Sequence, residues 1–369
     1  PPPPPPPLFQ AEDGIRDTSR GLVGSEMCIR DRGGRGPRFL TGPGARIDRM
    51  IPATVTTRPR LQTTNTVLMI RPVAFHSNPE TAASNAFQRR PGEIDPAREQ
   101  AAALREFDGL VDTLRAYGVE VIVEPDTPAP ETPDSVFPNN WVSFHADGTV
   151  VLYPMMARSR RAERRPDILE RLAKDRGFRI GAIVDLSFHE ADGRFLESTG
   201  SMVLDRVNRV AYACLSPRTD LDLIAEFGQR LEYEPVAFAA SDATGVPIYH
   251  TNVMMALGEG FAVLCAEAID DAAQSDAVLR KLEDTGYEVV AITRGQMGAF
   301  AGNMLALRAP DDGQLLAMSA RAADSLTPDQ RATLERYARI VAAPIDSIED
   351  SAGGSVRCML AEVHLPRKG

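Results

Sequence analysis

A thiol, an imidazole and a carboxylate that meet in space make a nucleophile, its acid/base partner and a group that orients the base. The chain holds one such set in three short segments: Cys358 in GGSVRCM, His250 in YHTN and Glu197 in FLESTGS. A histidine beside a thiol lowers the thiol's proton affinity and can later protonate a leaving amine. Asn139 and Asn140 in VFPNNW, Asn252 in YHTN, and Gly354 beside the cysteine are the candidate substrate contacts. Asp134, in PDSVF, is a further one, although an aspartate there serves equally well to form a turn. Gly353 and Gly354 let backbone come close to a ligand where a side chain would crowd it.

Taken singly, each residue has an ordinary reading: a buried cysteine, a core histidine, a solvated glutamate. Their spacing makes the difference. Asn252 to Asn303 and Asn303 to Gly354 are both 51 positions, Gly200 precedes Asn252 by 52, and Asn140 precedes Gly200 by 60. From Thr66 onward the chain repeats strand, turn, strand, amphipathic helix, strand. Long helices are predicted near 94–117, 160–176, 219–231 and 271–286, and another begins at Ser325–Pro328. Repeats of this length form a closed or stacked array of one supersecondary unit. Five units closing into a ring bring matching strand ends, and hence the polar turns, to a common axis. SAGGSVRCMLAEVHLP then returns to pair with the first unit, which removes exposed sheet edges and places Cys358 on the closing strand.

The other cysteines and histidines lack this phasing. Cys214 (AYACL) and Cys265 (FAVLCAE) sit among apolar residues and read as buried thiols. His76, His145, His189 and His364 are assigned structural roles, with His364 expected on the same strand face as Cys358.

Composition narrows the class. The 369 residues are 43% hydrophobic and 25% charged, as in ordinary globular proteins. Residues 1–49 stand apart: seven prolines precede FQAEDGIRDTSRGLVGSEMCIRDR, which resembles the peptide translated from sequencing-adapter DNA. They are read as a non-native or disordered leader, with residues 50–369 forming a single five-module catalytic domain. With eight Arg against six Asp and Glu in that stretch, the remainder carries a formal charge of −12. An acidic surface argues against nucleic acid and anionic membranes as partners. No apolar run approaches the ~20 residues needed to span a bilayer. Absent CxxC or Cys/His metal spacing, neither metal nor organic cofactor is expected, and a reducing, cytoplasmic setting fits.

The segments GGSVRCM, YHTN, FLESTGS and VFPNNW, in register over Thr66–Pro366, resemble the guanidino-group-modifying superfamily. Its members include arginine and agmatine deiminases, dimethylarginine hydrolases and amidinotransferases. The resemblance implies an α/β fold, the five-bladed α/β-propeller (pentein), with Cys358 as nucleophile, His250 as acid/base and Glu197 as its support. Within the superfamily the chain is most similar to the amidinotransferase-related citrulline utilisation hydrolases of the CtlX type. Many relatives have His-x-Asp where this chain has His250-Thr251-Asn252, and an aspartate where it has Asn140. A carboxylate grips a guanidinium, whereas an amide offers one acceptor and one donor group, which suits a neutral ureido group. The expectation is therefore hydrolysis of citrulline to ornithine, carbon dioxide and ammonia through a covalent cysteine intermediate. An arginine or methylarginine deiminase or dihydrolase, an amidinotransferase, and a catalytically silent ligand-binding member are the alternatives. The expected partner is a small amino-acid substrate, with a homodimer left open.

Overall fold

Five small sheets, each built the same way, account for nearly all the strands. In four of them, two short antiparallel strands are followed by a helix and by a third strand parallel to the second; the other reaches the same arrangement by taking its antiparallel strand from Ala361–Glu362. The computed structural model describes residues 38–40 and 61–368, apart from 83, 90, 91 and 93. In sequence order the hairpins are Val142–Phe144 with Thr149–Leu152, Val203–Asp205 with Val210–Leu215, Met255–Leu257 with Phe261–Leu264, and Leu305–Arg308 with Gln314–Ser319. Their parallel third strands are Ala182–Asp185, Glu234–Ala239, Glu288–Ala291 and Arg339–Ala343. The remaining sheet joins Thr66–Arg71 and Glu120–Pro125 to Ala361–Glu362, with Ala361 opposite Leu68 and Glu362 opposite Val67. That pairing closes the ring as the repeat implied, and the architecture is a five-bladed α/β-propeller.

The expected leader lies mostly outside the described residues. Within it, Arg38–Leu40 forms a strand parallel to Ala182–Asp185 at the edge of one blade.

The helices form where start signals meet an apolar stripe. Asp95 caps Pro96–Ala116, accepting from Ala97 N, and the helix buries Ala103, Phe107, Leu110, Val111 and Leu114 at the three- and four-residue spacing of one face. Asp220 and Asp271 cap Leu221–Leu231 and Ala272–Asp284 in the same manner. Thr327 and Gln330 form a capping box at Pro328–Glu335. The stretch predicted as one helix over 160–176 divides into a tight turn, Ser159–Glu163, and a helix, Pro166–Lys174. Pro166 occupies the first turn of the new helix, where its missing N–H costs nothing.

A helical turn precedes the inner strand of four blades: Pro138–Asn140, Ser198–Ser201, Thr251–Val253 and Val356–Met359. In the fifth, Phe300 takes a left-handed conformation and its carbonyl accepts from Asn303 N at 2.8 Å. Cys358 therefore sits on a helical turn, not on the closing strand as expected, because the strand begins only at Ala361. His364 lies beyond that strand and faces Glu362, its Nε2 at 3.5 Å from the carboxylate, so it shares no strand face with Cys358.

At the other ends of the inner strands, Gln62–Thr64 ties the blades together. Gln62 donates to Leu204 O and accepts from Arg206 N; Thr63 donates to Glu259; Thr64 donates to Val363 O and accepts from Arg308 N. Beside it Glu362 is buried between Arg357 at 2.6 Å and Arg206 at 3.6 Å. Among the described residues, no helix is long and apolar enough to cross a membrane.

Candidate active site

The helical turns converge on a cavity whose wall includes Cys358, His250, Asn140, Asp134, Arg160, Arg218, Tyr249 and Gly354. Glu197 stands immediately behind it. His250 Nε2 lies 2.8 Å from Glu197 Oε2, and both side chains are almost wholly buried. The second Glu197 oxygen accepts Met156 N at 3.0 Å, while Arg218 and Arg160 approach Oε2 at 3.7 and 3.9 Å. Burial opposes the Glu197 charge, yet Arg218, the His250 hydrogen bond and Arg160 hold its carboxyl down to about 2. Burial pushes His250 down to about 4 against the pull of Glu197, so the imidazole is neutral at pH 7.

Glu197 reaches this position through a strained turn. Ser198, which follows it, has φ 47°, a region costly to any residue with a Cβ, and its hydroxyl donates to Val142 O at 3.0 Å. Gly200 is required for a different reason. A Cβ there would stand 2.3 Å from Asn140 Nδ2 and 2.8 Å from His250 Nδ1, so only glycine lets the imidazole and the amide pack over this turn.

The sulfur is surrounded by amides. Asn303 Nδ2 lies 3.3 Å and Asn252 Nδ2 3.5 Å from Cys358 Sγ. The backbone beside it is glycine of necessity: Gly353 has φ 63°, and a Cβ on Gly354 would meet the Phe137 ring at 2.8 Å. Cys214 and Cys265 are buried away from the cavity, their thiols pushed by burial up to about 12 and about 11.

The two cavity arginines are tightly held. Arg160 pairs with both Glu163 oxygens at 2.9 and 3.0 Å, and its Nη1 donates to Asn140 Oδ1 at 2.9 Å. Arg218 donates to Ser84 Oγ and Thr81 O and lies over the Tyr249 ring at 5.2 Å. The segment contributing Thr81 and Asn85 is anchored again where Asn85 Nδ2 donates to Ala352 O at 3.1 Å.

The structure thus brings Cys358, His250, Asn140, Asp134 and Gly354 to one cavity, with Glu197 and Asn252 directly behind it. Asn139 is not in the wall. It is fully buried, and its carbonyl, not its side chain, is engaged, accepting from Thr199 Oγ1. Asn140 differs from expectation as well, because its oxygen is committed to Arg160 and only Nδ2 is without a partner. Asp134 Oδ2 accepts from Asn78 at 2.8 Å, whereas Oδ1 is buried with no hydrogen-bond partner. Sequence reasoning missed Arg160, Arg218, Tyr249 and Asn303 as site residues. For Asn303 the signal existed, since it stands one 51-residue period from both Asn252 and Gly354. Among the described residues, no group of three or more His, Cys, Asp or Glu is arranged to hold a metal ion.

A family model described as eukaryotic N,N-dimethylarginine dimethylhydrolase matches residues 71–365. Several solved structures are similar. The N-terminal domain of ArgZ, an asparagine-to-serine variant covalently bound to a reaction intermediate, is 18% identical over 81% of this chain and 97% of that one, with a TM-score of 0.63. ArgZ is described as an arginine dihydrolase from the ornithine–ammonia cycle in Cyanobacteria. A cysteine-to-alanine mutant of AgrE in complex with L-arginine is 19% identical over 82% of this chain and 40% of that one, with a TM-score of 0.63. A dimethylarginine dimethylaminohydrolase adduct with S-methyl-L-thiocitrulline is 16% identical over 81% and 99%, with a TM-score of 0.55. The chain spans about two-fifths of full-length ArgZ and AgrE. No curated protein matches it.

Proposed function

From the premise that this chain belongs to the N,N-dimethylarginine dimethylhydrolase family, hydrolases of non-peptide C–N bonds, we propose that it hydrolyses the guanidinium of an arginine-type amino acid through a covalent bond to Cys358. The observation that carries this reading is Asp134 Oδ1, a buried carboxylate oxygen without a partner in the wall shared with Cys358 and His250. A buried guanidinium needs such an acceptor.

Neutral His250 accepts the Cys358 proton, and Glu197 at 2.8 Å stabilises the imidazolium that results. The thiolate then attacks the guanidinium carbon. One C–N bond breaks, and the departing amine leaves with the proton from His250. Water adds to the resulting thiouronium as His250 removes its proton, and the C–S bond breaks to restore the thiol and release a ureido product. Departure of ammonia gives citrulline from arginine; departure of dimethylamine gives it from dimethylarginine. Of the two wall arginines, Arg160 is already paired with both Glu163 oxygens, which leaves Arg218 as the cation for a substrate carboxylate.

A ureido substrate is the second reading, favoured by Asn140 Nδ2, a buried donor without a partner that suits a carbonyl oxygen and not a guanidinium. A dihydrolase would take both groups in turn, carrying arginine through citrulline to ornithine. Amino-acid analysis with ammonia measurement, using arginine, dimethylarginine and citrulline in parallel, separates these readings. Citrulline or ornithine formed from arginine supports the first reading; ornithine from citrulline, with arginine untouched, selects the second. Turnover retained by Cys358→Ala refutes both.

A further inference from the structure

Asn303 does not line the cavity, yet it is the nearest hydrogen-bond donor to the sulfur. Its Nδ2 lies 3.3 Å from Cys358 Sγ and also donates to Asn252 O at 2.9 Å. The carbonyl fixes which end of the amide faces the sulfur, because the reversed amide would set two oxygens against each other. The backbone delivers Asn303 with unusual closeness. Phe300 is left-handed, and a Cβ on Gly302 would stand 2.2 Å from Val253 O, so the fifth blade's turn lies directly on the turn that carries Asn252.

Resting on the reading of Cys358 as nucleophile, we propose that Asn303, together with Asn252, forms a neutral amide cradle that selects the thiolate form of Cys358. A thiol needs an acceptor, and the side-chain oxygen that receives it, Asn252 Oδ1, does so only at the long distance of 3.9 Å. A thiolate needs donors, and two amide groups stand at 3.3 and 3.5 Å. The site therefore matches the ionised sulfur better than the protonated one. The charged and titratable groups around the sulfur are His250 and Tyr249 on one turn, Arg160, Asp134 and Arg218 in the cavity wall, and Glu197 behind His250. No cation is hydrogen-bonded to the sulfur among the described residues, which leaves its stabilisation to the amides. Asn303 is a positioning residue, acting on substrate only through Cys358.

The test is the pH profile of Cys358 alkylation by iodoacetamide, read by peptide mass spectrometry in wild type, Asn303→Leu and Asn303→Asp. Cys214 and Cys265 serve as internal references of unreactive buried thiols. A hydrogen bond to a charged group is worth about one pH unit or more. Asn303→Leu moves the alkylation profile up by about one unit, a tenfold loss of reactive sulfur at pH 7. Asn303→Asp, which adds a negative charge at the same distance, moves it further. Turnover in both falls at pH 7 and recovers as the pH is raised, which general loosening of the fold would not produce. Either variant that folds decides the matter, thermal melting being the check on folding. An unshifted profile in a folded variant overturns the cradle. Should Cys358→Ala retain turnover, the functional reading fails instead, so the two failures are distinguishable.

Discussion

Replacing Asp134 with asparagine removes a charge while keeping the shape, and the structure gives the size of the effect. The carboxylate is 3% exposed; Oδ2 is engaged by Asn78, and the nearest cation, Arg160 Nε, is 3.8 Å away. Arg160 keeps its shorter contacts to Glu163 at 2.9 and 3.0 Å in the variant, so the protein itself loses little. A substrate guanidinium, in contrast, would be buried without its carboxylate, at a cost of about 3–5 kcal/mol. That corresponds to a loss of roughly 10²–10³-fold or more in kcat/KM for arginine. Citrulline would lose only one neutral hydrogen bond, about 1 kcal/mol or roughly fivefold. The assay is ammonia release with amino-acid analysis, both substrates run on wild type and Asp134→Asn, with thermal melting to verify the fold. Arginine turnover within about threefold of wild type in a folded variant would refute the argument that Asp134 receives the guanidinium.

Gly200→Ala should cut turnover by about 10²-fold without unfolding the ring, because the new methyl displaces His250 and Asn140 by a fraction of their packing distance; steady-state kinetics at saturating substrate checks this, and unaltered kcat would show that the turn yields. Acid should destabilise the fold in two steps. His250 is held neutral down to about 4, so the unfolded chain takes up that proton first as the pH falls below about 6.5, and its stabilising share is lost between there and 4. Glu197, held near 2, keeps its share above its ordinary value and loses it only as the pH falls from about 4.5 toward 2. Urea denaturation across this range should show His250→Gln lacking about 3 kcal/mol of the decline between pH 6.5 and 4; identical slopes in the two proteins would contradict the burial argument.

The ring and its register were legible because they rest on local patterns: alternating strands, Asp or Thr at helix starts, and polar turns one period apart. Cys358, His250 and Glu197 could be singled out by that phase alone. The arginines could not, because Arg160 and Arg218 lie outside the turns and gain meaning only from partners such as Asn140, Glu163 and Ser84, which the fold brings beside them. The same contact explains why Asn140 was read too simply: no spacing in the sequence reveals that its oxygen is already occupied. The position of Cys358 was misjudged by one element, since SVRCM is too short to distinguish a helical turn from a strand. Asn303 was visible as a mark of the repeat, but an asparagine in a turn has an ordinary backbone role, and only the 3.3 Å contact gives it another.

The strand Ala361–Glu362 meets Thr66–Arg71 across 293 positions of chain, and the turn just before it carries Cys358. Contacts so distant in sequence form late, after the local hairpins and helices have paid their own ordering entropy. Four blades can therefore assemble on a growing or refolding chain while the site still lacks its sulfur. The thiol proposed as the nucleophile arrives with the same segment that latches the ring, so on that reading catalytic competence and circular closure become one event. In a refolding experiment, the return of turnover would time the latch itself.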